Sequence, residues 1–117
     1  IAIPRFMDAT ASARGAKVVA DMRTVESSLS MYYAKNGTYY STGTTGVTIP
    51  NLVTAGYLAS EPVPPSGTMI VDKSSTYTSA ASKSVPGSSY GVDVTSANSA
   101  TVYIGDKANT LAAIIKS

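Results

Sequence analysis

From Phe6 to Asn36 the chain runs without a proline, while alanine recurs at positions 9, 11, 13, 16, 20 and 34. Nothing in this stretch removes a backbone donor, and its commonest residue is the best helix former, so it predicts one long α-helix. Val18, Met22, Val25, Leu29 and Tyr32 follow one another at spacings of four, three, four and three. That is the apolar stripe of a helix with one face packed on something else. Lys17, Asp21, Thr24, Ser28 and Lys35 take the other side. Pro4 stands where a helix starts, or where a longer one bends. Asn36-Gly37 ends it, with Lys35 in the last turn and a glycine free to adopt the left-handed cap conformation.

At roughly 1.5 Å per residue this helix spans about 45 Å, more than a single domain of 117 residues needs. Its halves differ. The stripe from Val18 onward is bulky, whereas Ala9, Thr10, Ala11, Ser12, Ala13, Gly15 and Ala16 are small. Small side chains let another backbone come close, as in tightly packed helix pairs. The second half is therefore expected to pack within the molecule and the first half, residues 5–17, to pack between molecules. Arg5, Asp8, Ala9, Ala13, Ala16 and Lys17 are the expected interface, with Arg5, Asp8, Arg14 and Lys17 setting stagger through charge pairs. The expected helix–sheet core is Val18, Met22, Val25, Leu29 and Tyr32.

Residues 37–67 read as a connection. Ser41-Thr42-Gly43-Thr44-Thr45-Gly46 is a flexible loop by composition. Pro50 to Ala55, followed by Gly56, reads as a single helical turn. Glu61-Pro62-Val63-Pro64-Pro65 is a stiff extended stretch. Residues 68–117 are β-rich. Thr68-Met69-Ile70-Val71 is a short apolar run; Tyr90, Val92 and Val94 alternate with polar or small residues, as do Val102 and Ile104. Ser96-Ala97-Asn98-Ser99 closes a hairpin between the last two. An antiparallel sheet of about three strands follows, with residues 74–89 as a surface excursion. Residues 107–116 are expected to form a short helix through Leu111, Ala112 and Ile115. The expectation is one α+β domain over 1–117, its long N-terminal helix lying on a small sheet.

The opening residues Ala2-Ile3-Pro4-Arg5-Phe6 are similar to the Ala-Ile-Pro-x-Phe that closes the hydrophobic segment of type IV pilins and type II secretion pseudopilins. The run from Ala20 to Tyr39 resembles the helix end of that family, where Tyr-x-x-x-Asn-Gly-x-Tyr recurs, and Leu52-Val53-x-x-Gly56-Tyr57-Leu58 resembles the short segment that follows. The likeness covers residues 1 to about 65; beyond that it is one of layout. It implies a pilin-like fold and a structural subunit that polymerises through its N-terminal helix into a filament of like subunits. It further implies an upstream hydrophobic helix of about 20 residues, long enough to span a bilayer. A leader-removing prepilin peptidase, an assembly machinery, anchorage in the inner membrane before assembly and a place in a surface pilus come with it. A pseudopilin of a secretion machine, facing the periplasm, is the alternative within the family. The abrupt start at Ile1 fits a processed or truncated product. The C-terminal cysteine pair of many members is missing here.

Composition narrows the chemistry. There is no histidine and no cysteine, so the commonest general base, a disulfide framework and thiolate metal sites are excluded. No nucleophile stands beside a credible base, and no glycine cluster has phosphate-binding spacing. Neither catalysis nor a cofactor is expected. The net charge of +2 is scattered, without the clustering a nucleic-acid footprint needs. Asp72, Asp93 and Asp106 come from the sheet region and are weak calcium candidates, since carboxylates in oxygen-rich loops suit that ion and major pseudopilins bind it after the helix region. The plainer reading is three solvated turn residues. Tyr32, Tyr33, Tyr39 and Tyr40 gather at the helix end, where such rings usually pack with wet hydroxyls. A different class of function, a soluble ligand-recognition or adhesion module, has no use for a protruding alanine-rich stalk.

Overall fold

A computed structural model describes the backbone of residues 3–71 and 83–116, and the side chains of 10–71 and 84–115. The N-terminal helix, α1 (Ile3–Asn36), runs for 34 residues. The molecule measures 57 × 24 × 22 Å, and the helix alone, about 51 Å long, accounts for its long axis. The radius of gyration of 15.8 Å exceeds the about 13 Å of a compact domain of this length, because the helix reaches past the body it packs on. Gly37, at φ 71°, ends the helix, and its N–H donates to Tyr33 O at 2.7 Å.

Two short strands, β1 (Tyr40–Thr42) and β2 (Thr45–Gly46), form a hairpin within the expected flexible loop. The next element, α2 (Ile49–Thr54), is the expected single turn. Thr48 caps it, accepting from Asn51 N while Asn51 Oδ1 accepts from Thr48 N, and Pro50 stands at its start. The stiff 61–65 segment then leads to β3 (Thr68–Met69), which pairs antiparallel with β4 (Lys83–Ser84) as a separate two-stranded sheet. This corrects the expectation that Thr68–Val71 joins the main sheet. It also places a strand inside the expected excursion, of which 72–82 lie outside the described residues.

The main sheet is β5 (Tyr90–Ser96), β6 (Ser99–Ile104) and β7 (Asp106–Thr110), antiparallel in that order. In its register Tyr90 faces Ile104, Val92 faces Val102 and Val94 faces Ala100, so one face is apolar and receives α1. Ala97-Asn98 forms the two-residue turn of the β5–β6 hairpin. No non-glycine residue there takes positive φ, so the favoured primed turn is not available. The ladder instead shifts register between Val94 and Ser96, as a bulge that absorbs the mismatch in twist. Gly105, at φ 73°, reverses the chain between β6 and β7. The expected helix over 107–116 is thus half strand: only α3 (Leu111–Lys116) is helical. The sequence here lacks alternation because β7 is an irregular edge, paired at Asp106 and again at Thr110 with a register shift between.

The core lies between α1 and these elements. Val18, Met22, Val25, Leu29 and Tyr32 are buried on one face of the helix, against Leu52, Met69, Val71, Val102, Ile104 and Ile114 among others. The buried face extends further than the bulky stripe, however. Ala11 is 4% exposed and Gly15 is buried as well, so the same four-three spacing continues toward the N-terminus with small residues.

Candidate functional site

Opposite the core, α1 presents a second line at helical spacing: Ala13, Ala16, Ala20, Arg23, Ser27, Ser30 and Ala34, all exposed. Apart from Arg23 these are small, so the helix shows water a smooth ridge where its backbone lies close to the surface. Met31, 51% exposed, flanks it near the far end. Ala13 and Ala16, expected at an interface, are on this ridge. The side chains of Arg5, Asp8 and Ala9 lie outside the described residues.

The first half of the helix is nonetheless not all free surface, which corrects the division drawn from composition. A strap formed by residues 67–71 crosses it at Gly15. Ile70 N donates to Ala11 O at 2.9 Å, and Arg14 Nη1 donates to Thr68 O at 3.1 Å. A Cβ at position 15 would overlap Ile70 O and stand 2.7 Å from its carbonyl carbon. The small residues at 11 and 15 therefore admit the chain's own backbone, while those at 13, 16 and 20 are left open.

Lys17 and Arg14, expected to pair with neighbouring subunits, are engaged within the chain. Lys17 Nζ donates to Asp21 Oδ2 at 2.6 Å and to Val63 O at 2.8 Å. The same Asp21 Oδ2 accepts from Tyr90 Oη at 2.7 Å. The Asp21 carboxylate thus joins α1 to β5, and Lys17, which it holds, joins both to the proline-rich segment. Burial, then the bond and the charge of Asp21, push the Tyr90 hydroxyl well above its ordinary pKa. Lys17, Asp21 and Thr24 line one wall of an open groove of about 520 Å³, whose other wall is the segment 58–63. Val63 at its rim is 64% exposed.

The tyrosines expected near the helix end do assemble there, as fasteners. The Tyr33 and Tyr39 rings stack at 4.7 Å, and Tyr32 meets Tyr57 edge-on at 5.6 Å. Tyr32 Oη donates to Tyr40 O, Tyr33 Oη to Asn98 Oδ1, and Tyr39 N to Ala97 O. The helix end is clipped to both hairpins by these contacts. Of the calcium candidates, Asp72 lies outside the described residues. Asp93 takes Lys107 Nζ at 3.5 Å, and Asp106 accepts Ala108 N within its own turn. Among the described residues no three metal-ligating side chains gather, so Asp93 and Asp106 do not form a shared site with a third ligand there.

Sequence reasoning grouped Gly15 with the small residues expected between molecules and missed that it receives the chain's own strap. It also missed the Asp21–Tyr90 bond, whose partners stand 69 residues apart, and Ser28. That side chain is 2% exposed, with its single proton shared between Thr24 O and Tyr57 O, each at 3.0 Å. Among the described residues no helix is long and apolar enough to cross a membrane. Compared with protein-family models, curated proteins and solved structures, the chain matches none.

Proposed function

We propose that this domain is the exported part of a filament subunit of the type IV pilin class, structural rather than catalytic, which polymerises with copies of itself. The supporting observation is the solvent-facing ridge of Ala13, Ala16 and Ala20 on a helix that outreaches its own body. A monomer gains little by exposing alanine there. Helices of neighbouring copies laid against that ridge approach closely and gain many small dispersion contacts. In this reading an upstream hydrophobic segment anchors the subunit in the inner membrane until a prepilin peptidase and an assembly machinery place it in a surface pilus. The contact surface is revised from residues 5–17 as a block to the outward line through Ala13, Ala16 and Ala20. A pseudopilus subunit would use the same line.

Ala13→Trp in the full-length parent tests this. The substituted domain is expected to keep its circular dichroism spectrum and melting temperature, because position 13 is exposed. Filaments counted by electron microscopy are expected to fall sharply or to change subunit spacing. Filaments in normal number and spacing overturn the reading.

A further inference from the structure

Asn36 and Gly37 form the dipeptide in which a side-chain amide is most open to attack by the following backbone nitrogen, since glycine places no side chain in the way. The reaction needs no enzyme. Gly37 N attacks Asn36 Cγ and gives up its proton, the Cγ–Nδ2 bond breaks, and ammonia leaves from a five-membered succinimide. Water then opens that ring at either carbonyl, leaving an aspartate or an isoaspartyl linkage. In sum, one water enters and one ammonia departs.

Here both reacting groups are occupied. Gly37 N–H donates to Tyr33 O at 2.7 Å, and Asn36 Nδ2 donates to Tyr32 O at 3.0 Å. Asn36 is still helical. Its amide is tied back one turn to Tyr32 O, a bond that must break before the amide nitrogen can leave. No neighbour shields position 37 itself, since a Cβ built there meets nothing within 4 Å. The two bonds that restrain the chemistry both belong to the helix cap. That cap is held from outside by the Tyr33–Tyr39 stack and the Tyr33–Asn98 bond.

We infer that Asn36–Gly37 is a latent self-modification site gated by the C-terminal cap of α1, so that its conversion to aspartate or isoaspartate requires that cap to open. The product does not allow the cap to re-form as it was. A new carboxylate stands at the negative end of the helix dipole, and an isoaspartyl link inserts an extra atom into the backbone just before Gly37. One opening event thereby becomes a permanent loosening of the last turn.

The protein is incubated at mildly alkaline pH with and without urea, and conversion at each asparagine is followed by peptide mass mapping. In urea Asn36 is expected to convert ahead of Asn51, Asn98 and Asn109, which are followed by Leu, Ser and Thr. In the native protein the same site is expected to convert more slowly by at least about tenfold, the factor that about 1.4 kcal/mol of opening free energy imposes. Tyr33→Ala, which removes the outside fasteners and leaves Asn36 and Gly37 untouched, is expected to fall between the two. Equal rates at Asn36 with and without urea overturn the gating. Earlier conversion of another asparagine in urea overturns the site itself.

Discussion

Replacing Gly15 by alanine sets two well-characterised effects against each other. In a helix open to solvent the change is favourable by about 1 kcal/mol, because glycine pays the larger backbone entropy. In this molecule the added Cβ would overlap the Ile70 carbonyl and stand 2.7 Å from its carbon and 3.3 Å from Val71 N. Ordinary contacts begin near 3.5 Å and the carbonyl oxygen is the closest atom, so the strap must retreat by roughly 1.5 Å. The neighbour that has to move is backbone, with no rotamer to give. That retreat breaks the 2.9 Å bond from Ile70 N to Ala11 O, worth about 1 kcal/mol net. It also loosens Met69 and Val71, now 0% and 2% exposed, and overpacking of this kind costs about 1–3 kcal/mol. After the gain in helix propensity, a net loss of about 1–3 kcal/mol is expected. Ala16→Gly, one position along on the exposed ridge, should lose only the propensity of about 1 kcal/mol. Urea melts supply the free energies, and hydrogen exchange at the Ile70 amide supplies the location: its protection should fall in Gly15→Ala and persist in Ala16→Gly. A higher midpoint for Gly15→Ala with Ile70 still protected would refute the strap.

Leu29, 3% exposed in the middle of the core stripe, should cost about 2–5 kcal/mol when cut to alanine, whereas Ala13→Ser on the outward line should leave a urea melt nearly unchanged; equal losses would contradict the two-faced helix. Tyr90 gives a pH test. Its folded-state pKa is raised above the ordinary 10.0, so between that value and the raised one the folded state holds a proton the unfolded chain has released. Stability present below pH 10 should therefore fall as the pH climbs above it, and Tyr90→Phe should flatten that part of the fall. Phenolate absorbance should show one tyrosine ionising only as the fold is lost.

Periodicity made the helix legible. The stripe from Val18 to Tyr32 repeats often enough that no strand reading competes, and Pro50 and Gly56 punctuate α2 plainly. Alternation likewise disclosed β5 and β6. It does not disclose a neighbour: Thr68–Val71 reads as well beside β5 as beside β4, while Asp106–Thr110, an irregular edge with little to bury, carries no apolar rhythm at all. The candidate site was readable in the same partial way. Small residues at 11, 13, 15 and 16 announce close approach, but the sequence is silent on whose backbone approaches. Only the strap separates Ala11 and Gly15, which receive it, from Ala13 and Ala16, which do not.

The position of the helix end in the chain bears on the order in which the molecule assembles. Tyr33 Oη and the Tyr39 backbone N–H donate to Asn98 Oδ1 and Ala97 O, and the stripe of α1 is covered in part by β6 and Ile114. The hairpin of β5 and β6 closes locally, on the order of microseconds, but its docking on α1 joins residues some 65 apart and waits on a long loop. Until the last fifth of the chain has arrived, α1 lacks the part of its cover that β6 and Ile114 supply, and its four-three apolar seam stays partly open from Val18 to Tyr32. That spacing is also the seam of a coiled coil. A half-made chain thus offers a pairing surface to others like itself, on the face that the finished domain hides.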